Sequence, residues 1–354
     1  MLLFKPKSLV IFIAEIFTKY GMPRIEGTKL AKLLIENDLY GKDTHGCMRV
    51  PNYCSLLEAG VVNPAPRIRV LKDHLATAVI DGDNGFGHLV GLRALNEAVS
   101  RARTYGIGVV VAKRSGHLGA LGRLVHQVSD QGLIGMIASS TSYLVTPTGG
   151  RNATLGNNPI AIAVPTKSIP IIIDVSWSVS SRGRIILAAD KNSPIPPGWA
   201  VDEDGRPTVD AKQALRGALL PVGGHKGYVL ALAVELLTAA LGGEVTADPP
   251  GSIHPPERNR PLNFCHVAAA MMPSAFINEE DFFVQVEAVA KRMQETPSVE
   301  GGKGVRIPGE RGFSLSAERS VNGIPIAEPT IQKLQYQADK LGLKMPAPIK
   351  CHKQ

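Results

Sequence analysis

Up to about Gly60, apolar residues recur at helical spacing, as at Leu30, Leu33, Leu34 and Leu39, which predicts a helical N-terminal region. The run Leu9 to Phe17, LVIFIAEIF, reads as a buried helix face. It is short for a membrane span, carries Glu15 and lacks a small-residue cleavage site after it. From Ala76 the texture changes to short β-rich runs bounded by glycine, proline and polar clusters: TAVID, IGVVVA, LIGMIAS, PIAIAVP and PIIID. Helical spacing returns between some of them, as from Leu92 to Ala102, so this stretch predicts an α/β lobe.

Further on, YVLALAVELLTAAL, Tyr228 to Leu241, predicts a long helix ending at Gly242 and Gly243. Its apolar residues leave little room for a polar face, and it reads as buried on most sides. Ser193 to Pro207 and Gly242 to Pro261 are rich in glycine and proline and are expected to be loops. After Asn278 come a helical segment, a glycine-rich stretch and a last helix from about Thr330 to Leu341. The expected division is residues 1–75 as a helical region, 76–290 as the α/β domain and 291–354 as a segment packing back on the N-terminus. No internal repeat is present.

At 354 residues the chain is long enough for two lobes, each with its own core. Lys plus Arg exceed Asp plus Glu by 39 to 31, a surplus spread along the chain, and only 5% of residues are aromatic. That pattern favours a small anion over nucleic acid as partner. The four cysteines, Cys47, Cys54, Cys265 and Cys351, lack both CxxC pairing and the density of a disulfide scaffold, which fits a reducing cytoplasm. There is no HExxH, and the nine histidines have no ligand-like spacing, so no metal site is predicted.

The candidate chemistry sits in four places. GFGHLVG, Gly85 to Gly91, approaches a dinucleotide fingerprint, but its spacing is GxGxxxG and the next strand ends in Lys113 in place of an acidic residue. A tight turn and a direct cofactor contact both fit it. RSGHLGALGRLV, Arg114 to Val125, puts glycines and His117 at a strand-to-helix junction, where backbone amides can meet phosphate. In LLPVGGHKGY, Lys226 stands at a helix start, against the dipole, which asks for an anion nearby. KDTHGCMRVPNY sets His45 and Arg49 four residues apart, on one face if the segment is helical. Arginine offers a planar fork to a carboxylate, and histidine titrates near neutrality and can give a proton to a carbonyl oxygen. Thr44 or Asp43 can orient the imidazole. A capped helix end with surface charges fits the same residues.

DTHGCMRVPNY, SGHLGALG, GNNPIAIAVPT, PIIIDVSWS, PPGWAVDEDGRPT, ALRGALLPVGGHKGY and PGERGF, in this order, resemble the type 2 malate/L-lactate dehydrogenase family. That family includes ureidoglycolate, sulfolactate and diketogulonate oxidoreductases and an imine-reducing branch; the resemblance runs from about residue 5 to 345. It implies a non-Rossmann α/β fold, with a helical lobe from both chain ends, a central mixed-sheet lobe binding NAD or NADP, and a homodimer. By resemblance His45 is the proton donor, Thr44 its hydroxyl relay partner and Arg49 the holder of the substrate carboxylate. His117, Leu118, Gly119, Ala120 and Leu121 match a cofactor-binding segment, as do Asp174, Val175 and Ser176, then His225 and Lys226, then Gly309, Glu310 and Arg311. Where the family commonly reads GTNP this chain has GNNP, which puts Asn157 near the substrate. DMATS becomes DVSWS, introducing Trp177, and Arg184 stands where some members carry a relay aspartate.

The activity so implied is interconversion of a 2-oxo acid and a 2-hydroxy acid with a nicotinamide cofactor, a small carboxylate being the substrate and neither nucleic acid nor membrane a partner. Reduction of a cyclic imino acid, or of a diketogulonate-like sugar acid, fits the same motifs. Ser115 with His117 invites comparison with a hydrolase, although no GxSxG is present.

Overall fold

The computed structural model describes residues 1–245, 249–253 and 260–349. Its centre is a seven-stranded mixed sheet in the order Arg69–His74, Thr77–Gly85, Ile107–Ser115, Phe264–Met271, Ile134–Ser139, Ile160–Val164 and Ile171–Val175. Only Thr77–Gly85 and Ile107–Ser115 pair in parallel, joined by the helix Gly87–Tyr105. Every other neighbouring pair is antiparallel. This is the mixed, non-Rossmann sheet that the family resemblance implies.

The alternation of strand side chains distributes the core between two faces. Val110, Ala112, Ala268 and Ala270 point to one side and pack with Ala94, Leu95 and Ala98 of the helix Gly87–Tyr105 and with Leu124, Val125 and Val128 of the helix Gly122–Ser129. Val111 and Val267 point to the other side, with Ala138, and meet Val234. The strand Phe264–Met271 lies at the middle of the sheet, yet its sequence, FCHVAAAM, was not among the predicted strands. Small side chains fill it because helices cover the sheet closely there.

Both chain ends build the helical lobe. Strand Leu2–Phe4 pairs with Ile324–Ile326. Phe12, Ile13, Ile16 and Phe17 of the helix Pro6–Lys19 share a core with Leu30 and Leu34 of the helix Arg24–Leu39, Tyr53 of Val50–Glu58 and Leu334 of Glu328–Leu341. Phe86 and Phe264 of the α/β lobe enter the same core and seat one lobe on the other. A small five-stranded sheet drawn from residues 143–219 forms a third layer that the hydrophobic pattern did not predict. Part of the expected loop Gly242 to Pro261, and Cys351, lie outside the described residues. No described helix is long and apolar enough to cross a membrane.

The segment Tyr228 to Leu241 corrects the sequence reading. It forms the helix His225–Glu235, continued by one π-helical stretch Leu236–Ala240. Gly227, Ala231, Val234, Thr238 and Ala239 are buried. Val229, Leu230, Leu236, Leu237 and Leu241, by contrast, are exposed. The helix is largely apolar on every side, but the described residues cover only one side of it.

The turn in GFGHLVG exists for packing. A Cβ on Gly87 would lie 2.1 Å from the carbonyl oxygen of Gly116, so two backbones cross at van der Waals distance. Gly87→Ala is therefore expected to destabilise the fold by about 1–3 kcal/mol through overpacking. The measurement is the urea midpoint at unchanged m-value; an unshifted midpoint would contradict the crossing.

Candidate active site

The helix Arg24–Leu39 leads into the segment that carries His45 and Arg49. Beyond Tyr40, Gly41 turns the chain at φ +71°. Two short 3₁₀ turns follow, Asp43–His45 and Cys47–Arg49, before Pro51 opens the next helix. His45 and Arg49 are therefore not on one continuous α-helix, as their spacing suggested. The break is at Gly46, where an added Cβ would fall 1.9 Å from Oδ1 of buried Asp38. The Asp38 carboxylate fills that space and accepts the Cys47 N–H at 2.8 Å. Its burial raises the Asp38 pKa to about 7.

Despite the broken helix, His45 and Arg49 line one cavity of about 220 Å³ between the lobes. Thr44 Oγ1 lies 3.0 Å from His45 Nδ1, which leaves Nε2 as the nitrogen this hydroxyl does not engage. Burial, followed by the positive charges of Arg49 and Lys42, lowers the His45 pKa to about 3. Arg49 is 7% exposed, donates from Nε to the Thr44 carbonyl at 2.7 Å, and makes no ion pair with any described carboxylate. Its environment disfavours its charge through burial, and no nearby anion repays that cost.

The opposite wall is the segment His117–Leu121, all of which lines the cavity. The His117 ring stacks on His45 at 5.9 Å with 20° between planes. Tyr53 OH reaches His117 Nδ1 at 2.8 Å and fixes that ring from behind. Gly119, at φ +72°, backs onto His88, whose Nε2 would sit 2.3 Å from a Cβ there. Asp174, Val175 and Ser176 line the cavity at the end of the edge strand, with Asp174 3.8 Å from Lys42 Nζ. Asn157 also lines it, accepting from Thr141 Oγ1 at 2.9 Å.

The remaining expected residues lie elsewhere. His225 and Lys226 are exposed at the start of their helix, and Lys226 makes no ion pair among the described residues. Gly309 caps the helix Glu310–Asn322, and Glu310 and Arg311 line a separate surface groove. The strand Ile171–Val175 connects the two places: Ile172 N–H donates to Pro308 O at one end, and Asp174 meets the cavity at the other. Trp177 packs beside Val234 and Arg184 is exposed, so neither lines the cavity. Ser115 is bonded to His266 Nε2 at 2.7 Å, away from His117 and sealed from solvent, which removes the hydrolase arrangement. Among the described residues no group of three His, Cys, Asp or Glu is placed to hold a metal ion.

Sequence reasoning passed over Lys42, Ser139, Thr141, Ser181 and Arg182, which also line the cavity, and Tyr53 behind it. Lys42 and Tyr53 stand inside the KDTHGCMRVPNY stretch, and Ser181 and Arg182 lie within four residues of the end of DVSWS. Proximity to those motifs was the available signal.

The chain belongs to the malate/L-lactate dehydrogenase family, whose profile matches residues 4–335. It is 35% identical to the L-sulfolactate dehydrogenase of Methanocaldococcus jannaschii over 97% of this chain and 98% of that one. It is 33% identical to the malate dehydrogenase of Pyrococcus horikoshii over 96% of each. The solved sulfolactate dehydrogenase from M. jannaschii superposes with a TM-score of 0.88 over 98% of both chains.

Three imidazoles with lowered pKa values carry a pH consequence. His45, His88 and His266 all have pKa values lowered to about 3, with burial the main cause. Unfolded, each binds a proton near pH 6.5, so between pH 6.5 and 3 the unfolded chain holds more protons at these sites and stability falls on acidification. Asp38, raised to about 7, acts in the opposite sense between about pH 4 and 7. Glu36 and Glu235, also raised by burial, act with Asp38, and His126, lowered by burial, acts with the other imidazoles; the large imidazole shifts are expected to leave a net loss. The unfolding free energy is expected to be lower at pH 5 than at pH 7; a higher value at pH 5 would show that these rings are charged in the folded state.

Proposed function

We propose that the chain interconverts a 2-oxo acid and a 2-hydroxy acid with NAD or NADP, His45 exchanging the proton, Thr44 orienting its ring and Arg49 gripping the carboxylate. The carrying observation is a buried guanidinium without an anionic partner in the same cavity as an imidazole held by a hydroxyl. Arg49 binds and orients the acid, and the surrounding lobes exclude water. In the oxidising direction neutral His45 takes the hydroxyl proton; in the reducing direction it returns a proton to the carbonyl oxygen.

The cofactor supplies or accepts hydride at the reacting carbon. His117–Leu121 and Asp174–Ser176 suit its reactive end, since they wall the cavity. A cavity of about 220 Å³ suits a small acid beside one ring and is too small for a whole dinucleotide. The rest of the cofactor is assigned to the exposed His225 and Lys226 and to Gly309, Glu310 and Arg311. Lys226 and the helix start offer positive charge for phosphate, and Glu310 offers acceptors.

Asn157 is assigned to the substrate's far end. The relatives named for sulfolactate and malate support a substrate with a second acidic group over lactate. His45→Ala is expected to lower turnover by roughly 10²- to 10⁴-fold with the NADH dissociation constant little changed. Steady-state rates with oxaloacetate, sulfopyruvate, pyruvate and a cyclic imino acid, each with NADH and NADPH, test the whole reading. Undiminished turnover in the variant, or exclusive use of the imino acid, would overturn it.

A cytoplasmic homodimer completes the reading. Cys47, Cys54 and Cys265 are buried free thiols, as expected of a reducing compartment. Leu230, Leu237 and Leu241 present an exposed apolar surface among the described residues. The double substitution Leu237→Glu, Leu241→Glu is expected to yield monomers in light scattering. A dimeric mass in that variant would place the interface elsewhere.

A further inference from the structure

The helix Glu310–Asn322 starts at the Gly309–Arg311 segment and ends against the catalytic turn. Its packing there is close. A Cβ on Gly312 would meet Tyr40 Cδ1 at 2.8 Å, and one on Gly41 would meet Leu315 Cδ2 at 2.5 Å. The Tyr40 ring is held edge-on to Phe313 at 5.1 Å and under the Arg123 guanidinium at 3.5 Å. Tyr40 and Gly41 lead into the Asp43–His45 turn, so this helix sets where that turn begins.

Arg319 makes the decisive contact. Its Nη1 donates to Asp43 Oδ1 at 2.7 Å and to the carbonyl oxygen of Asp38. Its side chain is 12% exposed, whereas Asp43 is 58% exposed. Asp43 precedes Thr44, the hydroxyl partner of His45. Asp38 holds the other side of the turn through the Cys47 N–H and the space left by Gly46. Asn37 Nδ2, one residue earlier, donates to the His45 carbonyl at 3.1 Å. The turn carrying the imidazole is therefore bracketed front and back by Asn37, Asp38 and Arg319.

We propose that Arg319 is a positioning residue for His45: it joins Asp43 to the end of the Arg24–Leu39 helix and so fixes the turn from which the imidazole enters the cavity. A half-exposed ion pair contributes little to stability. One that sets the angle of a proton donor contributes to rate, because a displacement of about 1 Å can cost roughly 10²-fold. The inference rests on the proton-exchange role assigned to His45.

The test is kinetic, on the full-length enzyme with the best oxo acid of the screen. Arg319→Met is expected to lower kcat by about 10- to 100-fold. KM should change much less than kcat, because Arg49 is linked to the turn only through the Thr44 carbonyl, and the NADH dissociation constant, read by fluorescence, should change by less than about twofold, because Arg319 contacts none of the residues assigned to the cofactor. Arg319→Lys, which keeps a donor and a charge, should recover part of the rate. Asp43→Asn should lower kcat in the same way, and the double variant Arg319→Met, Asp43→Asn should be no worse than the poorer single one, as for two groups acting through one contact. Should Arg319→Met fold poorly, Asp43→Asn and Arg319→Lys carry the same comparison. Wild-type kcat in these variants, losses that multiply in the double variant, or a loss confined to NADH affinity would overturn the proposal. Those results would count against Arg319 only if His45→Ala is inactive; an active His45→Ala removes the underlying reading instead.

Discussion

The buried guanidinium of Arg49 is the constraint on which the rest of this structure turns. Taking such a charge out of water without a counter-ion is costly, and the penalty must be met by the fold that encloses it. Here the fold meets it locally: the Thr44 carbonyl takes the Nε–H, and the surrounding turn is pinned by Asp38 and Arg319. A side chain held this way is complementary to an anion that arrives later. The two lobes have their own cores, yet Phe86 and Phe264 lock into the helical lobe, and this keeps the guanidinium facing His117 and Asp174 across the cavity.

The sequence made the outer parts of this arrangement legible and concealed its centre. TAVID, IGVVVA, LIGMIAS, PIAIAVP and PIIID are each in a strand, because β-branched residues between turn signals suit a pleated surface packed on both faces. FCHVAAAM escaped notice for the opposite reason. Its alanines have weak strand preference, and it is a strand because neighbours pair with it on both sides and helices press close. The apolar run after Lys226 reads correctly as a helix but not as one buried on most sides: periodicity reports what a face is made of, and not what lies against it.

At the site, residue types were easier to infer than local geometry. Spacing suggested that His45 and Arg49 belong together, and they do share a cavity, yet through two 3₁₀ turns and not a continuous helix. The reason lies in a contact with no sequence signature, the Asp38 carboxylate occupying the place of a missing Gly46 side chain. Tyr53 was equally silent. Its phenol meets His117, 64 positions later, only because the helical lobe seats Val50–Glu58 against the α/β lobe. Long-range pairs of this kind belong to the fold, and the motif alone could not disclose them.

The electrostatics of the cavity join binding to proton transfer. Burial, and after it the charges of Arg49 and Lys42, holds the His45 imidazole neutral, with its pKa lowered to about 3; the ring is in its unprotonated form but has little affinity for a proton. On the proposed roles, a carboxylate seated on Arg49 offsets the field of that cation at the ring, and this raises the proton affinity of the imidazole. Each unit of pKa so recovered corresponds to about 1.4 kcal/mol of coupling between substrate and proton. The substrate's own charge thus prepares the donor in the reducing direction, while the free enzyme keeps the ring in its unprotonated form. Stacked His117 has an ordinary spatial reason to be held by Tyr53: a second ring at 5.9 Å that swung freely would blur the position of the first. On the proposed roles, charge sets when His45 takes up its proton, and the bracket of Asn37, Asp38 and Arg319 sets where that proton is delivered.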